Sequence, residues 1–143
     1  MINNPFALNT YIIIICLFSS NSFAQNNPGV KGQGGIIFYV DDYRMHGLAI
    51  DTIELEPADW YKAMTACTNL TRNGYNDWRL PNKLEMEILY LTRRYVPGIA
   101  NEYYWTSTEF NKTDAHMIQF ATGVFGINSK NDAVYRVRAV RAF

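Results

Sequence analysis

The sequence predicts an α+β domain, two helices packed on small antiparallel sheets, and three observations carry that expectation. An apolar hairpin pattern comes first, two segments of helical period follow, and the remaining chain is a series of short β-rich runs separated by turn residues. Residues 35–40, GIIFYV, read as a strand, 41–46 as a turn and 47–50 as the hairpin partner. Residues 57–70 place Trp60, Met64, Cys67 and Leu70 on one stripe with Ala63, which is a helical spacing. Pro57 suits the first turn of that helix and Asn73-Gly74 its exit. A second helix is expected after Pro81, with Asn82 capping the free amides and Glu85 reaching back as a capping box. Its predicted apolar stripe is Leu84, Ile88 and Leu91, with Leu89 and Tyr95 beside it, and Pro97-Gly98 ends it. Strands are then predicted at 104–107, 115–120, 124–127 and 134–140, with Ala121-Thr122-Gly123 as a hairpin connection carrying a left-handed glycine.

The first residues are of another kind. Residues 12–18 form an apolar core and Ser22-Phe23-Ala24 a small-residue cleavage site, the layout of a secretory signal peptide cut after Ala24. That core is far short of the ~20 residues a spanning helix needs, so no membrane span is expected. Ile15 stands where a lipoprotein signal carries Gly, Ala or Ser, so Cys16 reads as an apolar signal residue rather than an acylation site. The organisation expected is a signal peptide at 1–24, a flexible Gly-, Asn- and Pro-rich leader at 25–33, and one domain at 34–143, in a secreted or periplasmic protein.

The 13 basic and 13 acidic residues balance, and none of them falls in the first 24 residues. A neutral domain lacks the basic excess with which nucleic-acid binders displace counterions, so no nucleic-acid partner is expected. Beyond the signal, Cys67 is alone and no intrachain disulfide is available. It lies on the apolar stripe of the first helix with no basic neighbour, the setting of an inert thiol. The core must hold without a covalent staple, and an aromatic content of 15% supplies large buried surfaces for that purpose.

Several blocks follow one another in a recognisable order: Gly34-Gly35-Ile36-Ile37-Phe38-Tyr39-Val40-Asp41, His46-Gly47-Leu48, Cys67-Thr68-Asn69-Leu70, Asn73-Gly74-Tyr75-Asn76-Asp77-Trp78-Arg79-Leu80-Pro81, Tyr104-Trp105-Thr106-Ser107-Thr108-Glu109, Phe120 with Gly123, and Val137-Arg138-Ala139-Val140-Arg141. Together they resemble the domain of unknown function numbered 1566, the C-terminal domain of the Legionella collagen-like adhesin. The resemblance implies a C-type-lectin-like fold whose N- and C-terminal strands pair in one sheet. Arg79-Leu80-Pro81 followed by Glu85 is also similar to a segment of the formylglycine-generating enzyme, which shares that fold. The adhesin further implies binding of sulfated polysaccharide through positive charge, from which the neutral composition here departs. Fold likeness alone transfers no activity.

Trp78, Arg79, Leu80, Pro81, Glu85, Trp105 and Glu109 are expected to be scaffold. Trp78 and Leu80 would bury on alternate sides of an extended segment, while Asp77 and Arg79 pair with backbone or with Glu85 and Glu109. No catalytic residue, metal ligand or cofactor is assigned. The carboxylate-Pro-carboxamide triplet of calcium-dependent lectins is missing, and so are cysteines in the C-terminal half. His46 and His116 are isolated and fit neither a triad nor zinc spacing. Glu54, Glu56 and Asp59 precede a helix, where the dipole favours negative charge.

What remains is a surface on the connections 96–114 and 128–133, with Asn101, Glu102, Tyr103, Tyr104, Asn111, Lys112, Lys130 and Asn131. Aromatic faces beside amides and a cation suit sugar rings. Arg136 and Arg138 share one face of a strand and, with Lys130, form a candidate anion-binding patch, with Arg141 on the other face. The expected function is a non-catalytic, adhesin-like binding domain for a glycan or cell-surface protein. An assembly module of the cell envelope is the alternative and an uncharacterised hydrolase the third; the oligomeric state is left open.

Overall fold

The computed structural model describes residues 26–143; the expected signal peptide and its expected cleavage site lie outside them. In chain order the described elements are β1 (Lys31–Gly32), β2 (Gly35–Val40), β3 (Gly47–Ile50), β4 (Leu55–Ala58), α1 (Trp60–Thr68), α2 (Lys83–Thr92), a 3-10 turn at Arg93–Tyr95, β5 (Tyr103–Glu109), β6 (Asp114–Gln119), β7 (Val124–Ser129), β8 (Tyr135–Val137) and β9 (Val140–Ala142). The class is α+β. One sheet runs β1-β2-β3-β9 and the other β4-β8-β5-β6-β7, so the C-terminal strand closes the sheet that the N-terminal hairpin opens. Neighbours are antiparallel except β5 and β8, which meet in parallel at Tyr104 and Arg136. Among the described residues no helix is long and apolar enough to cross a membrane.

The larger sheet is the middle layer. Successive side chains of β5 point to opposite faces, and Tyr104 and Trp105 accordingly enter different cores. On the Tyr104 side, Ile118 and Phe120 meet Met86 and Leu89 of α2 and the inner residues Ile36, Phe38, Leu48, Ile50 and Val140 of the smaller sheet. On the Trp105 side, Ala115 and Val137 meet Trp60, Ala63 and Cys67 of α1, together with Trp78 and Leu80. Trp78 and Leu80 thus bury in one cluster, not on opposite sides as expected; two residues apart in extended backbone, they share a face.

The first hairpin, the Trp60, Ala63 and Cys67 stripe of α1, the Asn82–Glu85 capping box and the Gly123 turn, at φ 76°, form as predicted, although α1 ends at Thr68, short of Leu70 and of the expected exit at Asn73-Gly74. Four expectations are corrected. Pro57 belongs to β4, not to a helix: β4 pairs with β8 at Leu55–Val137 and Ala58–Tyr135, and as an edge strand it tolerates the missing donor. The cap of α1 is Asp59, whose carboxylate accepts from the Lys62 amide at 2.9 Å.

The stripe of α2 is rotated. Glu85, Met86 and Leu89 are buried, whereas Leu84 and Leu91 are 64% and 69% exposed. This helix carries apolar residues on two faces, and the anchoring of Glu85 described below decides which one turns inward.

The single strand expected at 134–140 is two strands in two sheets. The chain crosses between them at Arg138-Ala139, where the Ala139 carbonyl accepts from the Asp51 amide and the Arg138 side chain turns inside. Finally, the segment expected to be a flexible leader is tied down. Lys31 pairs with Ile36 and Gly32 with Gly35 across Gln33-Gly34, both at left-handed φ as a two-residue hairpin requires. The Gly29 amide also donates to the Ile37 carbonyl at 2.7 Å.

Candidate functional site

The distinctive segment around Trp78 is a weld between parts of the chain. The Arg79 guanidinium donates two bonds to Glu85, at 2.7 and 2.6 Å, while Glu85 also accepts from the Asn82 amide at 2.8 Å. Burial alone would raise the Glu85 carboxyl, but Arg79 and that amide outweigh it and hold it below the usual range. Backbone bonds of 2.9 Å in both directions join Arg79 to Val140, and Ser107 donates to the Pro81 carbonyl at 2.8 Å. Asp77 receives a forked pair from Arg141, at 2.7 and 3.0 Å, which draws its carboxyl down. The same guanidinium reaches the Gln33 carbonyl and lies 3.8 Å from the Tyr75 ring centre. Gly34-Gly35 must be free of side chains here, since a Cβ on Gly34 would sit 2.5 Å from Tyr75 and one on Gly35 2.1 Å from the Ile50 carbonyl.

The residues expected to form one binding surface divide into two groups at opposite ends of β5. At about 3.3 Å per residue, the ends of this strand are about 20 Å apart. Around its C-terminal end lie Glu109, Asn111, Lys112, Lys130 and Asn131. Lys130 is 1% exposed and internally committed: its ammonium pairs with Glu109, donates to the carbonyls of Asn111 and Lys112, and lies 4.9 Å from the Trp60 ring centre. It therefore offers no cation to a ligand, and Glu109 holds this lysine rather than Arg79. Asn111 is spent on its own turn, accepting from the amides of Thr113 and Asp114. Lys112 and Asn131 are exposed.

At the N-terminal end, Asn101 is exposed, and Tyr104 is 1% exposed and part of the core. The Tyr104 hydroxyl accepts from the Ala100 amide at 3.0 Å and donates to Glu54 at 3.1 Å. Burial, opposed by that amide and reinforced by Glu54, pushes the phenol up. Arg138 is also interior, donating to the carbonyls of Asp51 and Gly98, and burial draws its guanidinium down. Neither Tyr104 nor Arg138 reaches a ligand surface. Arg136 donates to Glu54 at 2.7 Å, and Arg138 stands 3.9 Å from the same carboxylate. Glu54 is thus a hub of the fold, beyond its expected place in an acidic cluster before a helix.

Beside this hub opens a groove of about 300 Å³ lined by Pro57, Glu102, Tyr103, Val134, Tyr135 and Arg136. Its aromatic wall is fixed in place. Tyr135 is held at its hydroxyl by Asn128 at 2.6 Å and along its ring by Trp105, with centres 4.8 Å apart. Trp105 is pinned in turn by its N–H donating to the Ala58 carbonyl. Tyr103 leans on Tyr135, ring centres 5.3 Å apart, and remains 37% exposed. The groove joins Tyr103, Glu102 and Arg136, all singled out from the sequence, to Pro57, Val134 and Tyr135, which were not. No spacing announces those three, because the pairings of β8 with β5 on one side and β4 on the other bring them together.

The histidines have other partners. His46 pairs with Asp41 at 3.0 Å on an exposed hairpin tip, and His116 meets Phe110 edge-on. Burial, with the Asp51 carboxylate second, pushes the Cys67 thiol up to about 12, which keeps it protonated. No group of three or more His, Cys, Asp or Glu side chains converges on a point among the described residues.

No curated protein matches this sequence. Among solved structures, the crystal structure of botrocetin is similar at 13% identity and a TM-score of 0.43, over 72% of this chain and 93% of that one. The model of the Lcl C-terminal domain matches residues 40–141, from the end of β2 into β9, and so takes in the Arg79–Glu85 weld, the Glu54 hub and every residue of the groove. The chain belongs to the Lcl C-terminal domain family.

Proposed function

We propose that this domain is an exported, non-catalytic binding module of C-type-lectin-like fold that holds a glycan or cell-surface ligand in the groove between β5 and β8. The observation that carries the reading is the pinned aromatic wall: an exposed Tyr103 supported by Tyr135 and Trp105, with a carboxylate and a guanidinium at its edge. Rigid rings lose little freedom on binding, so a shallow site of this kind keeps more of its contact energy. Membership of an adhesin domain family supports a surface-associated role. Binding of the purified protein to a panel of glycans and cell-surface extracts tests the reading. Tyr103→Ala is expected to weaken capture by about tenfold or more while Leu84→Ala leaves it intact; capture undiminished in Tyr103→Ala overturns the groove as the site.

One observation favours the assembly reading as well. Strand β7 is a sheet edge whose six residues, VFGINS, pair with β6 without a register break and include neither charge nor proline. Such an edge lacks the usual guards against strand addition. Crosslinking and sedimentation of the protein test this reading, with Ile127→Lys expected to reduce any association.

A further inference from the structure

The groove's charges say more about its occupant, granted that it is the binding site. Its cation, Arg136, already donates to Glu54 at 2.7 Å. The neighbouring Arg138 is interior and hydrogen-bonded to backbone carbonyls. Lys130 is closed inside its own loop at the other end of β5. The other charge on the rim is the Glu102 carboxylate, which acts on Arg136 through space but makes no ion pair or side-chain hydrogen bond among the described residues; its backbone carbonyl accepts from the Phe120 amide. A sulfate or carboxylate entering here would meet two carboxylates, Glu54 and Glu102, that already compensate the Arg136 charge. An ammonium would find the same carboxylates compensated by Arg136 and would be repelled by its guanidinium.

A hydroxyl meets neither obstacle. Arg136 has five N–H donors, of which Glu54 takes one, and Glu102 accepts with both oxygens. Donors and acceptors therefore stand on one rim with little net field, above a ring face suited to C–H groups. We infer that the groove takes an uncharged sugar ring, lying on Tyr103 with its hydroxyls shared between Glu102 and Arg136, and that it rejects sulfated and amino sugars.

The experiment is titration of the purified protein with three probes: neutral gluco- and manno-oligosaccharides, heparin, and chitosan oligosaccharides. Neutral sugars are expected to bind alone, with affinity unchanged between about 0.05 and 0.5 M salt, because an uncharged ligand is not screened. Tyr103→Ala is expected to weaken binding by about tenfold or more, the scale of a single well-used ring contact. Tyr103→Phe, which keeps the ring, should bind like the parent, and unchanged melting temperatures separate both effects from unfolding. Salt-sensitive binding of heparin without neutral sugar overturns the inference and leaves the glycan-binding module standing, as does binding of chitosan oligosaccharides alone. Loss of binding to every probe overturns both.

Discussion

The segment 74–85 and the groove between β5 and β8 are built on opposite plans. In the first, nearly every polar group is spent inside the protein: Arg79 on Glu85, Asp77 on Arg141, Asn82 on the helix start, and the Arg79 backbone on Val140. In the second, apolar surface and charge are left facing solvent, and only the underside is tied down, through Tyr135, Trp105 and Glu54. The contrast teaches that distinctiveness in sequence marks constraint, and constraint here comes from joining the two sheets. The groove requires little more than a ring and two charges at its rim.

Substitutions that break the weld are expected to cost the most. Trp78→Ala removes a ring enclosed by α1, Leu80 and Gly34-Gly35, and should destabilise by about 3–5 kcal/mol in urea unfolding. A retained midpoint would show that the segment is not scaffold. Gly35→Ala drives a Cβ against the Ile50 carbonyl, which must shift with its strand, so a loss of about 2 kcal/mol is expected in the same assay.

Glu85→Gln probes the weld's charge. It leaves Arg79 without its ionic partner and weakens the cap, at about 1–2 kcal/mol near neutral pH. The pH dependence has a definite sign. The folded carboxyl lies below its ordinary 4.5, so between the two values the unfolded chain binds more protons and stability rises with pH. The contribution is full above about pH 4.5 and disappears as pH drops through the folded value. The parent and Glu85→Gln should therefore differ most near neutrality and converge in acid, as measured by unfolding midpoints across pH.

Changes on the open side of the comparison should be small in stability and large in binding. Tyr103→Ala is expected to cost about 1 kcal/mol or less, because the ring is part exposed and its support lies beneath it. Melting temperature and ligand titration together check this, and a large stability loss would move Tyr103 into the scaffold. Smallest of all, Leu84→Lys on the exposed face of α2 should stay within about 0.5 kcal/mol.

Local chemistry was legible in advance. The first hairpin, the α1 stripe, the capping box of α2 and the glycine turn before β7 each depend on residues within a few positions of one another, and each forms where residue type and spacing place it. The α+β class follows from the same signals. Two of the errors show the limit: α2 has apolar residues on two faces, and the run from Val134 to Val140 reads as one strand because nothing in it shows a change of sheet.

Tertiary structure decided which charges were free. Lys130, Arg136 and Arg138 look alike in the sequence as potential ligand cations, yet Lys130 and Arg138 are interior, and Arg136 shares Glu54, 82 residues away along the chain. It likewise decided that Tyr103 faces a groove and Tyr104 the core, through one parallel pairing between β5 and β8. Helices, turns and caps are set by neighbours along the chain, which a sequence displays. The availability of a charge or a ring depends on partners brought close only by folding, and the sequence carries no local trace of them.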